Sequence, residues 1–200
     1  MKTFKVLICM VAIFFCSTSF GQSRPGPVPT YFCQELIDRA NMGNPQAQFN
    51  LGTLYITGDG VARNYSEGVK WMRKAADQNY VDAQYTMGYL YANGEGVNRN
   101  LNEAFNWYLK AAKNGEAQSQ HVVGTMYFRG EGVPQDQTEA VKWFVKAAEK
   151  GLVGAQHDAG VCYANGYGVP QDLQKAANWL RRAAEQGDMD SRNILRQMGY

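Results

Sequence analysis

This sequence has few histidines and cysteines, and its basic and acidic residues are nearly balanced. Its 200 residues contain two histidines and four cysteines, and 20 basic residues stand against 18 acidic ones. Lys2 and Lys5 lie in the first 21 residues, which hold no acid, so the rest of the chain carries 18 residues of each sign. Nucleic-acid binding draws its affinity from a basic face that displaces counterions. We therefore expect no nucleic-acid partner.

The shortage of reactive side chains also argues against catalysis. Ser–His–Asp and Cys–His arrangements place a histidine beside a nucleophile, and no such arrangement can be argued from the positions of His121 and His157. A stable metal site usually needs three or four ligands, and the pattern adds only Asp158 to the two histidines. We predict a protein that is not an enzyme, holds no metal and uses no cofactor, with both histidines on its surface.

The first 21 residues have the layout of a secretory signal peptide. Two lysines come first, an apolar run follows over residues 6–15, and small residues end the segment. The run is shorter than the ~20 apolar residues of a spanning helix, which argues against a retained membrane anchor. A bulky Phe15 before Cys16 argues against a lipoprotein. We expect removal of residues 1–21, export to a periplasm or secretion, and no membrane span in the mature chain; an endoplasmic-reticulum destination depends on the source organism.

Loss of that segment would remove two of the four cysteines and leave Cys33 and Cys162. About three 36-residue repeats separate them, on the order of 30 Å at the usual spacing of packed helices. A disulfide needs Cα atoms within ~7 Å. We therefore predict no bridge between them and assign Cys162 to the core as a small hydrophobic residue. Cys33 has no assigned role, and an intermolecular bridge through it has no support.

The remaining chain is dominated by a period of 36 residues. Three features recur in register, namely a glycine, a tryptophan and the first residue of a Gly-x-Gly-Val turn: Gly52, Gly88, Gly124 and Gly160; Trp71, Trp107, Trp143 and Trp179; Gly58, Gly94, Gly130 and Gly166. A fixed period between 20 and 50 residues is typical of stacked repeats. The predicted units are 45–80, 81–116, 117–152 and 153–188.

Each unit has the pattern of an antiparallel helix pair. Apolar residues of the first helix follow the i, i+4, i+7, i+8 spacing of one buried face. The second helix opens on a capping side chain at the same slot of every unit: Asn64, Asn100, Asp136 and Asp172. The glycine within the first helix costs roughly 1 kcal/mol relative to alanine, and we expect it to let the second helix, with its bulky tryptophan, approach closely. The basic residues near the helix ends (Lys74, Lys110, Lys146 and Arg182) are explained by the helix dipole.

One helix pair cannot bury its own apolar face, so the pairs are expected to stack. The prediction is a monomeric all-α solenoid of four repeats within 45–188. A flexible lead-in rich in proline and glycine covers 22–30. Capping helices are expected at 31–43 and at 189–200.

These repeats resemble the Sel1-like repeat family, which is related to the tetratricopeptide repeats. The resemblance rests on A-x-x-x-L-G-x-L-Y at 47–55, G-x-G-V at 58–61 and A-x-x-W-x-x-x-A-A at 68–76, where Gly68 replaces the first alanine. It implies a right-handed α-solenoid that serves as an adaptor or scaffold for protein partners and is often exported in bacteria. A cysteine-rich branch is linked to β-lactam binding or hydrolysis. The alternative function, a hydrolase of β-lactams or cell-wall precursors, rests on that analogy alone, and this chain lacks the branch's cysteine pairs.

A stripe of the first helices lies opposite the predicted core, on the side that lines the concave surface of such a solenoid. We call it the first-helix stripe, and its members are Phe49, Thr53, Ile56, Tyr85, Tyr89, His121, Thr125, Phe128, His157 and Val161. Contiguous apolar surface on a soluble protein usually has a use. We expect the stripe to bind a protein or an extended peptide. Two alternatives remain open: the aromatic residues pack against the neighbouring unit, or the protein is a spacer that binds nothing.

Overall fold

The computed structural model describes residues 30–200, with side chains from residue 34 onward. Over that range the chain forms ten helices and no strands: α1 (Thr30–Asn41), α2 (Pro45–Thr57), α3 (Tyr65–Asp77), α4 (Val81–Asn93), α5 (Leu101–Lys113), α6 (Ala117–Arg129), α7 (Gln137–Glu149), α8 (Val153–Asn165), α9 (Leu173–Glu185) and α10 (Met189–Gln197). The predicted signal peptide, the lead-in up to residue 29 and the Cys33 side chain lie outside the described residues. The described helices are all too short or too polar to cross a bilayer.

The chain divides into two compact units, one ending at Ala83 and one covering Gln84–Tyr200. In the first unit α1 packs on α2, and α2 packs on α3. In the second unit each helix from α5 to α10 packs on the next, and α4 meets α5 where Gly88 faces Tyr108. The predicted fold class, an all-α repeat of the solenoid type, is confirmed.

Helix boundaries follow from the caps that the sequence supplies. Asn64, Asp136 and Asp172 each accept a backbone N–H from the third residue after them, at the starts of α3, α7 and α9. At the other end of the second helices the chain reverses through a left-handed residue, with φ of 63° at Asn79 and 88° at Gly115. Asparagine and glycine tolerate that conformation best, so these positions fix where each helix pair ends.

The glycine in the middle of each first helix sits under a large side chain of the second helix. A Cβ added at Gly124 would lie 2.7 Å from the Phe144 ring, and one at Gly160 would lie 2.6 Å from Cγ of Leu180. The second helix approaches the glycine closely, as expected, and the side chain over the glycine is that of the residue after the tryptophan.

The tryptophan instead packs into the preceding repeat. Trp143 belongs to a buried cluster with Ala104, Phe105 and Val123, so it joins α7 to α5 and α6. Cys162 is 2% exposed and packs with Ala155 and Ala159, which confirms it as a core residue. Burial raises the pKa of its thiol to about 12, and a protonated thiol is a poor nucleophile.

Candidate functional site

All ten residues of the first-helix stripe are partly exposed, and none is fully buried. In the first unit the Phe49 ring lies 5.2 Å from the Tyr80 ring, whose hydroxyl donates a 2.6 Å hydrogen bond to Oε1 of Gln46. Thr53 donates its hydroxyl to the Phe49 carbonyl, and Ile56 packs against Gly68 of α3. This part of the stripe therefore packs on one edge and stays open on the other.

The aromatic residues of the second unit also pack on the second helices. The Tyr85 ring meets Tyr108 edge to face with centroids 5.5 Å apart, and the Tyr89 hydroxyl donates to Glu95 at 3.3 Å. Burial, with Glu116 and Tyr89 nearby, raises the pKa of Tyr85. Packing and exposure thus coexist at these rings, and the two interpretations of the stripe are not exclusive.

Phe128 has a similar setting in the third repeat. Its ring lies 6.3 Å from Phe144 beneath it and 5.9 Å from Tyr167 of the next turn. Tyr167 is 42% exposed, so the pair presents an aromatic edge to solvent. Thr125 and Val161, the flanking members of the stripe, are partly exposed as well.

The two histidines are partly exposed, as predicted, and each also contacts the following repeat or capping helix, which was not predicted. We call these two contacts the histidine clasps. Nε2 of His121 in α6 lies 2.6 Å from Oδ2 of Asp158 in α8. Nδ1 of His157 lies 2.9 Å from Oγ of Ser191 and 3.1 Å from Oδ2 of Asp188. The side chain and backbone N–H of Ser191, together with His157, hold the pKa of Asp188 below its usual value. Each histidine therefore ties one first helix to the next.

The group of His157, Asp188 and Ser191 has the residue types of a hydrolytic triad without its geometry. Both partners approach the same ring nitrogen, Nδ1, whereas a triad needs the serine on one nitrogen and the acid on the other. Ser191 is also fully buried, out of reach of a substrate. Among the described residues, no three His, Cys, Asp or Glu side chains come together to hold a metal ion.

A ladder of buried glutamines was missed by sequence reasoning. Gln48, Gln84, Gln120 and Gln156 recur every 36 residues and are at most 5% exposed. The Gln48 amide donates to the Ala40 carbonyl at 3.0 Å and that of Gln156 to Ala148 at 3.2 Å. Each such bond ties a first helix to the end of the preceding helix, so the ladder joins one repeat to another. The recurrence was visible in the sequence.

Three of these glutamines also accept a hydrogen bond through Oε1. The donors are amide side chains at one slot of the repeat: Gln78 to Gln48, Asn114 to Gln84 and Gln186 to Gln156. The third repeat has Lys150 at that slot, and Oε1 of Gln120 is buried with no hydrogen-bond partner. An unsatisfied buried carbonyl costs free energy, so the ladder is incomplete in this one repeat.

The basic residues of the second helices do more than complement the helix dipole. Nζ of Lys74, Lys110 and Lys146 lies 3.9, 3.8 and 4.1 Å from the centroid of the tryptophan ring three residues earlier. The Arg182 guanidinium lies 4.7 Å from Trp179. The dipole explanation was therefore incomplete, because a cation–π contact adds to it in every repeat.

Tandem capped helix pairs of this kind define the class of α-helical repeat proteins that build binding surfaces by stacking. Within that class the chain belongs to the Sel1 repeat family, whose sequence model matches residues 45–80, 81–116, 117–152 and 153–188. The resemblance read from the sequence is confirmed. Proteins of this family generally act as scaffolds for protein interactions.

Two solved structures and one sequence relative support the same assignment. The chain is 41% identical to c5321, a protective antigen of uropathogenic Escherichia coli with an SLR fold, with a TM-score of 0.79 over 82% of this chain and 35% of that one. A Sel1 repeat protein from Oxalobacter formigenes is 39% identical, with a TM-score of 0.69 over 81% of this chain and 64% of that one. A putative sel1-like repeat protein of Acanthamoeba polyphaga mimivirus, L18, is 42% identical over 40 residues, which are 20% of this chain and 7% of that protein. The chain thus spans less than two thirds of each.

Proposed function

We propose that the chain is an exported interaction module that holds a protein or an extended peptide along the first-helix stripe. The observation that carries this proposal is the contrast within one helix slot. Phe49, Tyr85, His121 and His157 occupy equivalent positions and include three residue types, and all four are partly exposed. The tryptophan slot, by contrast, holds one residue type in all four repeats.

The chemistry of the stripe suits a peptide better than a small molecule. Tyrosine and phenylalanine supply large contact areas with few rotatable bonds. Tyr89, Phe128 and Tyr167 are spread over successive repeats, and an extended segment could contact them in turn. A hydrolase has no support in the described residues, since the buried thiol of Cys162 and the serine of the histidine clasp are both inaccessible.

A photo-crosslinking experiment tests the stripe directly. A benzophenone amino acid placed at Tyr89 should crosslink a partner in the native compartment, and the same group at Asn106, on the exposed side of α5, should not. Replacing Tyr85 and Tyr89 with leucine keeps apolar volume over Tyr108 and should weaken capture about 30-fold or more, since two central aromatic anchors at ~1–2 kcal/mol each contribute at least ~2 kcal/mol together.

Tyr91→Leu is the matched control, because it makes the same change in α4 at a residue outside the stripe. Equal capture by the leucine variants and wild type would remove the stripe assignment. Export is tested separately by fractionation and N-terminal sequencing of the secreted chain, which we expect to begin at Gln22. An uncleaved chain retained at a membrane would contradict it.

A further inference from the structure

A cleft beside α9 is lined by residues whose charges differ from those at the equivalent positions of the other repeats. It has a volume of about 290 Å³ and is lined by Val145 of α7, Tyr163 of α8, and Lys175, Asn178, Trp179 and Arg182 of α9. Val145, Tyr163 and Trp179 are partly buried and form its apolar base. None of these residues belongs to the first-helix stripe, so the cleft is a separate surface of the molecule.

Two cations stand over the aromatic walls of the cleft. Nζ of Lys175 lies 5.4 Å from the centroid of Tyr163, and the guanidinium carbon of Arg182 lies 4.7 Å from that of Trp179. A ring attracts a cation without neutralising its charge. The carboxylate against Lys175 is that of Asp172, at 3.4 Å from Nζ, and it also accepts the Lys175 backbone N–H at 2.9 Å as the cap of α9. Lys175 remains 63% exposed.

Lys175 breaks the pattern of the repeat. The equivalent residues are Glu67, Glu103 and Glu139, each an acid in the first turn of its helix, and α9 has no acid there. A lysine near the positive end of a helix is unfavourable. In the third repeat Glu139 forms an ion pair with Lys142 at 2.9 Å. In the fourth repeat Lys175 takes the place of the glutamate and Asn178 that of the lysine. A local departure from the repeat that is unfavourable for the helix is typical of a functional position.

We propose that this cleft binds an acidic peptide segment of a protein partner, with one carboxylate on Lys175 and another on Arg182. The two residues are seven apart in α9, about 10 Å along the helix axis. In a peptide of polyproline II conformation, with three residues per turn, carboxylates three residues apart lie on one face and about 9 Å from each other. An apolar side chain between them meets Trp179 and Val145, while the Asn178 amide faces the peptide backbone. This proposal does not depend on the first-helix stripe.

The probe is a fluorescein-labelled Gly-Gly-Glu-Leu-Leu-Glu-Gly-Gly peptide, titrated with the full chain by fluorescence anisotropy at low and at physiological salt. A peptide with glutamine in place of both glutamates is its uncharged match. We expect the acidic peptide to bind, more weakly at the higher salt, and the glutamine peptide to bind at least tenfold more weakly. Equal binding of the two peptides would overturn the proposal.

Lys175→Glu restores the residue that the other three repeats carry, so it is expected to fold, and circular dichroism checks this. It should weaken binding of the acidic peptide at least tenfold. Glu139→Lys makes the reverse change in the third repeat, beside Tyr127, Trp143 and Lys146, and should raise the number of bound peptides from one to two. Wild-type behaviour of both variants would exclude the cleft.

Two further measurements distinguish an acidic peptide from a general anion, and binding in the cleft from binding on the first-helix stripe. Inorganic phosphate at matched ionic strength should leave the peptide bound; complete displacement by phosphate would show a general anion site and overturn the peptide assignment. The Tyr85→Leu/Tyr89→Leu chain should bind the acidic peptide as wild type does. Loss of binding in that variant would place the peptide on the stripe and not in the cleft.

Discussion

The first and second helices of each repeat have the same length but differ in how strictly their residues recur from repeat to repeat. Both are 13 residues long in α6 and α7, as in α8 and α9. The second helices repeat a tryptophan with a cation above its ring in every copy, whereas the stripe slot of the first helices holds Phe49, Tyr85, His121 or His157. A buried slot can also vary, since the residue after the tryptophan is Met72, Tyr108, Phe144 or Leu180. Variation therefore indicates a recognition position only where the side chain is also exposed, as it is along the stripe.

Breaking a recurrent contact of the first helices should have the largest effect. In Gly124→Ala the new Cβ would lie 2.7 Å from the Phe144 ring and 3.1 Å from the Ala140 carbonyl. Overpacking of this kind costs about 1–3 kcal/mol, and the backbone contact puts the expected loss near the top of that range. Urea unfolding measures it.

Two variants control for that result. Phe144→Leu in the Gly124→Ala background should recover part of the loss, because the two changes are coupled through one contact. Gly154→Ala alters a glycine at a non-recurring position of α8, where a Cβ would approach His121 at 3.3 Å, and should change stability by less than about 1 kcal/mol. Equal losses at the two glycines would contradict the division between recurrent and variable positions.

Acid should loosen the histidine clasp that ends the second unit. The pKa of Asp188 is lowered from 3.8 in the folded chain, so its contribution to stability is complete above that value and is lost as the pH falls below it. We expect about 1 kcal/mol from this carboxylate, which both caps α10 and contacts His157. Asp188→Asn should lower stability near neutral pH and flatten its fall as the pH drops below 3.8. If stability falls with pH as steeply in the variant as in the wild type, other carboxylates cause the acid sensitivity.

Completing the glutamine ladder should stabilise the protein. Lys150→Gln places at the third repeat the amide that Gln78 and Gln186 provide elsewhere, and it can donate to the unsatisfied Oε1 of Gln120. The expected gain is about 1 kcal/mol, the usual net value of one hydrogen bond. Lys150→Met is the matched control, since it removes the charge without adding a donor. If both variants melt at the same temperature, the hydrogen bond contributes nothing.

Recurrence made part of this molecule predictable and left the rest undetermined. The caps at Asn64 and Asp172 followed from local spacing, because a cap needs only residues of its own helix, and the core position of Cys162 followed from its slot in the repeat. The period does not fix the rotation of one helix against the next, so the close approach at Gly124 was predictable and the Phe144 ring over it was not. The clasps of His121 and His157 were missed for a related reason, since their partners lie 37 and 31–34 residues away.

The smallest expected effect concerns the cations above the tryptophans. Lys146→Met removes the charge 4.1 Å from the Trp143 ring and keeps most of the apolar length of the side chain. An exposed cation–π contact contributes about 0.5–1 kcal/mol, and the helix dipole adds a few tenths that salt screens. The loss measured by urea unfolding should therefore shrink only in part between low and high salt. If high salt abolishes the loss, the helix dipole alone explains why these cations recur, and the cation–π contacts contribute nothing measurable.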